Sequence, residues 1–550
     1  MFQLIKKAPL FIVLFFAWQL KAQNNFYFIS FKDKDTTNFS ELLPENYLSN
    51  KAIERRKKYN LPLLTISEIP VNSKYVDLVF PFIDKHISTI KWLNGLLVLA
   101  GPNLPDSLKK FKDIKAITLV GFDNSKERKS AINLADRISL LEQKFETSET
   151  VDSNLFYGKA TEQVYFNQTQ KLHQLNLKGQ NIDIAVFDAG FTNLDKIAGF
   201  NKQNIKAGYN IVDEEASIYS SDNDEHGINV VSFMAANWPY NFVGTAPNAN
   251  YYLFKTENTN SEYPIEEYYW TKAAEIADSL GIDLITSSLG YTEFDNKQFN
   301  YKAKDLNGKK SIIAQAVNMA ASKGIFVVIS AGNEGNKMWE TLSTPADADS
   351  ALTVTSCTFD GKISNFSSIG FLRKNKVKPN VTSVGEAVNY INEEGKIITG
   401  NGTSYSTPLM AGGIACLMHA FPNKTPFEIK KAIETSADRY YTPDKFWGYG
   451  IPNLKLAHKI LSTNNITDTI IEYKQLLDSN IHICMNINSN QKVEITLQST
   501  DEKVVFKQKE KLNFGINRFL LNKSHKLKRG LYILKIKTAN TVLVKRIEKE

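Results

Sequence analysis

From about Asn154 to Leu461, short apolar runs alternate with segments of helical period, and nothing else in the sequence narrows the fold as far. Candidate strands are Ile182 to Phe187, Tyr251 to Phe254, Leu284 to Ser287, Phe326 to Ser330 and Leu352 to Thr355. Between two of them Ile265, Tyr269, Ala273, Ile276 and Leu280 recur at helical spacing, and a second helix is expected from Ser311 to Ser322. Strand and helix in alternation imply a parallel sheet covered on both faces. The expected fold class is therefore α/β, with a mostly parallel sheet and helices on both faces.

The flanks have other patterns. Between Asn24 and about Thr150 the strand-like run Phe26 to Phe31, the charged helical segment Lys51 to Lys58 and the apolar run Leu97 to Ala100 come first. A short helix Ser107 to Phe111, with Asp106 as its cap, and a strand Ile114 to Val120 then complete a small α+β unit. Ser125 to Asp152 is charged and serine-rich, and reads as a linker. Beyond about Ile466 the period returns to two, as in Lys492 to Leu497 and Leu531 to Ile536, which predicts a small all-β domain.

The chain opens with Met1 to Lys7, then an apolar stretch from Ala8 to Trp18, then Leu20 to Gln23. This is the layout of a signal peptide, and its apolar run is too short to span a bilayer. Residues 1–22 are expected to be that peptide, 23–150 a leading unit with its linker, 151–465 the main domain and 466–550 the β domain. Cys357, Cys416 and Cys484 are odd in number and far apart, so they do not form a disulfide framework. The net charge of +8 could point to nucleic acid, but residues 470–550 hold 16 Lys and Arg against 8 Asp and Glu, which leaves the rest near neutral. No basic helix with interleaved aromatics accompanies that tail. A solvated basic face is the expectation, without a nucleic-acid partner.

In an open α/β sheet the reactive groups gather at the carboxyl ends of strands and at adjoining helix starts. Asp188 ends IDIAVFD, His226 opens HGINVVSFMAA, Asn333 ends IFVVISAGN, and Ser404 precedes the helix carrying Pro408 to Leu417. Taken singly, each could be a cap or a turn residue. Together with their neighbours they carry a resemblance. DAG at Asp188, HGIN at His226, SAGN ending at Asn333 and GTSYSTP around Ser404 stand in the order and spacing of the subtilisin family, and the chain resembles that family from about Asn154 to Leu461. VGTAPNA from Val243, SSLG from Ser287, FSSIG from Phe366, KPNV from Lys378 and GYGIPN from Gly448 are similar as well.

The resemblance implies a serine endopeptidase in which Ser404 attacks, His226 shuttles the proton, Asp188 orients the imidazole and the Asn333 amide is an oxyanion donor. It further implies that Ser287, Ser288, Leu289 and Gly290, with Ala331 and Gly332, flank an extended substrate strand. The glycines Gly402, Gly412 and Gly413, with Ala411, are expected to allow close backbone approach around the nucleophile. No cofactor is required for such chemistry. No metal ligand is assigned, and the family's structural calcium is left open. Ala189 stands where the family has Ser or Thr, and Ile228 and Asn229 where it has Thr and a second His.

The segment LSNKAIERRKKYNLPL, with IPVNSKYV, resembles the propeptides of Bacteroidetes subtilisin-like proteases, which fold with their enzyme and inhibit it. SLGYTEF at Ser288 and the acidic TENTNSEYPIEEYYW at Thr256 are similar to the same group. Gly530 to Glu550 is similar to C-terminal domains used in type nine secretion, without the usual proline-rich opening turn. The implied partners are protein or peptide substrates, the chain's own propeptide, and the secretion machinery. The implied location is outside the cell or on its surface, reached through the periplasm. The competing expectation is a catalytically silent surface protein that keeps the fold for binding.

Overall fold

The computed structural model describes residues 24–37, 39–123, 156–220, 225–373, 376–463, 467–475 and 480–549. The signal peptide and the linker expected from sequence lie outside the described residues. Among those residues no helix is long and apolar enough to cross a membrane.

The centre is a seven-stranded sheet in the order Val381–Val384, Leu352–Cys357, Phe326–Ser330, Leu284–Ser287, Asp183–Asp188, Asn250–Lys255, Ile205–Asn210, with every neighbouring pair parallel. The five strands expected from sequence form its middle. The two that sequence reading does not anticipate, Ile205–Asn210 and Val381–Val384, are its edges. One face packs on the helices His226–Ala235 and Thr403–Ala420, with Ile184, Val186 and Leu253 meeting Met234, Met410 and Ile414. The other packs on Ile265–Leu280 and Ile312–Ser322, with Ile285, Val327 and Ile329 meeting Trp270, Ala274 and Val317. Both faces are apolar because both are covered.

The α+β unit of residues 24–123 forms a four-stranded antiparallel sheet in the order Lys85–Ile90, Gly95–Ala100, Asn25–Phe31, Ile114–Phe122. Its short helix is Leu104–Leu108, earlier than the expected Ser107 to Phe111, because Pro105 takes an early helical position where its missing N–H costs nothing. Phe28 packs against Tyr268, Trp92 N–H donates to Glu275 Oε1 at 2.8 Å, and Lys272 Nζ donates to the Thr89 carbonyl at 2.9 Å. This unit therefore lies on the helix Ile265–Leu280. A second contact comes from the helix Asn50–Lys58. Arg55 pairs with Asp278 Oδ1, Arg56 with Asp278 Oδ2 at 2.6 Å and with Glu68 at 3.2 Å, and Lys323 with Glu68, all buried.

The β domain has a three-stranded sheet, Thr469–Gln475, Ile481–Ile487 and Gly515–Leu521, and a four-stranded sheet ordered Val504–Leu512, Gln491–Ser499, Gly530–Lys537, Val542–Lys549. It is seated on the main domain. Cys484 belongs to the main core, and Arg518 Nη1 caps the helix Pro426–Ser436 by donating to the carbonyls of Thr435 and, at 2.6 Å, Ala437. Cys357, Cys416 and Cys484 are buried and unpaired. Burial raises all three thiols, Cys484 to about 12, so none is a ready thiolate.

Asp278 is shared by two buried guanidiniums, so its loss leaves Arg55 without its carboxylate and Arg56 with Glu68 alone. Asp278→Ala should destabilise the full chain by about 3–5 kcal/mol, the usual cost of breaking a buried ion pair from one side. Chemical denaturation of the variant beside the parent measures it.

Candidate active site

The helix His226–Ala235 and the strand Asp183–Asp188 bring an imidazole and a carboxylate together at the carboxyl edge of the sheet. His226 Nδ1 lies 2.7 Å from Asp188 Oδ1, with Asp188 fully buried and His226 3% exposed. Close approach is permitted by Gly227, where an added Cβ would stand 2.2 Å from the Gly190 carbonyl oxygen. Asp188 Oδ1 also accepts the Ala189 N–H at 2.8 Å, while Oδ2 has no hydrogen-bond partner among the described residues. Alanine at position 189 offers no hydroxyl to fill that place. Ile228, in the other departure from the family pattern, is packed into the main core.

Ser404 lies two positions further into its helix than a cap would, because Gly402 is the cap and Thr403–Ala420 begins at the residue before Ser404. The N–H groups of a first helical turn have no carbonyl partner within the helix, which favours negative charge in front of it. Behind Ser404 the helix packs too closely for side chains. A Cβ at Gly412 would come within 2.0 Å of Thr245 Oγ1, and one at Gly413 within 2.3 Å of Leu454 Cδ1. Ser404 is clasped to Ser288, whose Oγ donates to the Ser404 carbonyl at 3.0 Å while Ser404 Oγ donates to the Ser288 carbonyl at 3.4 Å.

Asn333 follows the strand Phe326–Ser330 and faces the same helix start. Its Oδ1 accepts from Thr403 N and Thr403 Oγ1, both at 2.9 Å. A backbone N–H can only donate, so the amide oxygen must point at Thr403. The Nδ2 donors then face away from that N–H, on a side chain that lines the same cleft as Ser404. Thr403 Oγ1 also accepts the Gly332 N–H at 3.2 Å. Thr403 thus orients both neighbours, a role that the sequence reading passed over although the residue lies inside GTSYSTP.

Ser404, Asn333, Ser288, Leu289, Gly290 and Gly332 line one cleft of about 220 Å³. Ser287 and Ala331 do not line it. The Ser287 hydroxyl accepts from Trp270 Nε1 at 3.1 Å inside the protein, and the Ala331 backbone is bonded to Val354 and Ser343. Gly290 and Gly332 mark the tightest points of the walls: a Cβ at Gly290 would lie 2.6 Å from Ser343 Cβ, and one at Gly332, where φ is +99°, would lie 2.5 Å from Ser343 Oγ. The remaining lining includes Glu257, Glu262, Tyr291, Glu293, Glu334 and Lys337, with Lys337 paired to Glu334 at 3.0 Å. Among the described residues no group of His, Cys, Asp or Glu is arranged to hold a metal ion.

Seven parallel strands in this order, with the cleft at their carboxyl edge, form a subtilisin-like α/β fold, and the matches that follow support a subtilisin-like serine endopeptidase. Residues 179–450 carry a Subtilase family domain, and residues 26–134 match the peptidase S8 propeptide domain of Bacteroidota. The chain is 27% identical to subtilisin NAT of Bacillus subtilis subsp. natto over 290 residues, which span 52% of this chain and 68% of that protein. It is also 27% identical over 306 residues to the membrane-bound transcription factor site-1 protease of Rattus norvegicus, covering 54% of this chain and 27% of that protein. In fold it is similar to the epidermin leader peptide processing serine protease of Staphylococcus aureus, with a TM-score of 0.52 at 17% identity, covering 80% of this chain and all of the other.

If Thr403 holds Asn333 and Gly332 as the geometry indicates, Thr403→Val should leave the enzyme folded but less active. Losing hydrogen bonds of this kind costs about 1–3 kcal/mol, which if felt wholly in the transition state is roughly 5- to 150-fold in turnover. Thermal melting and turnover measured on one preparation distinguish this from simple unfolding.

Proposed function

We propose that the chain is a secreted serine endopeptidase that hydrolyses peptide bonds through an acyl-enzyme on Ser404. The observation that carries this reading is the buried 2.7 Å contact between His226 Nδ1 and Asp188 Oδ1, at the sheet edge that also presents Ser404 and Asn333. Asp188 holds the tautomer in which Nδ1 carries the proton and Nε2 is the basic nitrogen. Ser404 Oγ attacks the substrate carbonyl carbon as His226 takes the hydroxyl proton. The Asn333 Nδ2 and first-turn N–H groups of the helix Thr403–Ala420 donate to the oxygen that becomes negative. The imidazolium then gives its proton to the departing amine. Water repeats the sequence on the ester, and neither half requires a cofactor. Ser288 to Gly290 on one wall and Gly332 on the other offer backbone groups to an extended peptide.

In this reading residues 1–22 direct export and are removed. Residues 23–150 are the propeptide and linker, and the enzyme's own propeptide is its inhibitor. The catalytic domain is 151–465. The basic β domain of 466–550 engages the secretion machinery that carries the enzyme through the periplasm to the surface.

Ser404→Ala should abolish covalent labelling by a fluorophosphonate and lower turnover by about a million-fold, the loss seen when subtilisin's own triad serine is removed. Comparable activity in that variant excludes Ser404 as nucleophile. Asn333→Ala should cost roughly 100- to 1,000-fold in turnover with little change in KM, the range known for subtilisin's own oxyanion asparagine. Steady-state kinetics with slow but persistent labelling identify an oxyanion donor. A lowered melting temperature with normal turnover identifies a turn residue instead.

A further inference from the structure

Glu257 lies against the cleft, 1% exposed, and has no part in the proton transfers described above. It stands two residues beyond the strand Asn250–Lys255, which pairs directly with Asp183–Asp188. The residue between, Thr256, donates its N–H to the Asp188 carbonyl at 3.0 Å and its hydroxyl to Glu257 Oε1 at 2.9 Å. From the opposite side the Tyr291 hydroxyl lies 2.8 and 2.9 Å from the two carboxyl oxygens of Glu257. Tyr291 is as buried as Glu257 and directly follows Ser288 to Gly290. Its backbone is bonded in both directions to Thr344, at 2.8 and 3.1 Å, and its ring stacks on Phe294. A single carboxyl–phenol contact thus ties the strand next to Asp188 to the cleft wall that clasps Ser404.

The charges around Glu257 make this an expensive place for a carboxyl. Asp188 faces it from the adjacent strand and His226 from the helix His226–Ala235, while Glu262 and Glu266 face the pair from the entry to the helix Ile265–Leu280. Burial pushes Glu257 up to about 7. The hydrogen bonds from Tyr291 and Thr256 oppose that rise, Asp188 adds to it and His226 opposes it. Burial also raises Tyr291 well above the usual phenol range, so it remains a donor throughout. An apolar pair of similar volume would fill the same space without the desolvation cost. That cost points to a use for the carboxyl beyond packing.

We propose that Glu257 is a positioning residue for the reaction: through Tyr291 it holds Ser288 to Gly290 in register with Ser404, and when ionised it favours the imidazolium that forms at His226. The inference rests on the triad reading above. Its test is therefore built so that the two can fail separately.

Turnover and KM for a peptide substrate are measured between about pH 5.5 and 9 for the parent, Glu257→Gln and Tyr291→Phe, each normalised to sites titrated with a fluorophosphonate. Glu257 is anionic only above about 7, so its help is fully present at high pH and fades as pH falls through that value. Glutamine keeps an acceptor for Tyr291 but carries no charge at any pH. Glu257→Gln should therefore be slower by roughly three- to tenfold at pH 9, since one pKa unit of lost interaction is tenfold, and near the parent at pH 5.5. Tyr291→Phe keeps the carboxyl and loosens the wall, so KM should rise several-fold across the range. A parent-to-variant ratio that is flat in pH, with KM unchanged in Tyr291→Phe, overturns the proposal even where the melting temperatures fall. If Glu257→Gln does not fold, KM in Tyr291→Phe decides alone. Absence of labelling in the parent itself removes the triad reading and this inference with it.

Discussion

Parallel alignment of the seven central strands is the constraint on which the rest of this structure depends. Parallel neighbours cannot be joined by hairpins, so each return passes over a face of the sheet, usually as a helix. All strand carboxyl ends and the starts of the following helices are then gathered along one edge. Asp188 at a strand end and His226 and Ser404 at helix starts arrive there from positions far apart in sequence. The 2.7 Å contact between Asp188 and His226 is thus a product of topology before it is one of chemistry.

The same constraint explains which elements the sequence discloses. Leu284–Ser287 and Phe326–Ser330 are buried along their whole length and surrounded by partners, and each opens on an apolar run, Leu284 to Ile285 and Phe326 to Ile329, that the sequence reading picks out. Ile205–Asn210 and Val381–Val384 close the two edges of the sheet, and Lys85–Ile90 closes one edge of the N-terminal sheet. All three escape a reading based on apolar runs. Ile205–Asn210 alternates between exposed and half-buried positions and includes Gly208, whereas Val381–Val384 carries polar Thr382 and Ser383 in its interior. Edge strands need less apolar surface, so they leave a fainter signal.

Within the site, the residues that sequence motifs single out are those whose chemistry is fixed by type, namely Asp188, His226, Asn333 and Ser404. What sequence does not disclose is which neighbours aim them. Thr403 fixes the Asn333 amide through two hydrogen bonds, and that depends on a loop meeting a helix start 70 residues away. Ser287 stands in the same short motif as Ser288, yet period two turns its side chain inward to Trp270. Glu257 reads as one acid among several in an acidic stretch, and only its burial against Tyr291 separates it from Glu262 and Glu293.

The N-terminal unit grips the main domain by two contacts of different physical character. Its sheet lies on the helix Ile265–Leu280 through aromatic and apolar side chains, as where Phe28 meets Tyr268. Its helix Asn50–Lys58 instead inserts cations near the amino ends of the central strands, where Lys51 meets Asp183 and Asp283, both at 2.7 Å, and Arg55 and Arg56 meet Asp278. Gly281 makes that second approach possible. A Cβ there would fall 2.6 Å from Ala52 N, and its φ of +86° is the left-handed turn that ends the helix Ile265–Leu280. The amino ends of parallel strands lie opposite the carboxyl edge that bears the cleft, so the ionic contact is remote from the chemistry. Cutting the chain between the two units would leave the named side-chain contacts in place, because they are made by residues 28–68 and 183–323. Release then requires the buried guanidiniums to be rehydrated along with the apolar sheet, and desolvated ion pairs separate at a cost of several kcal/mol unless water reaches both partners together. Were the chain cut between the units, the N-terminal unit would therefore stay seated until both contacts opened.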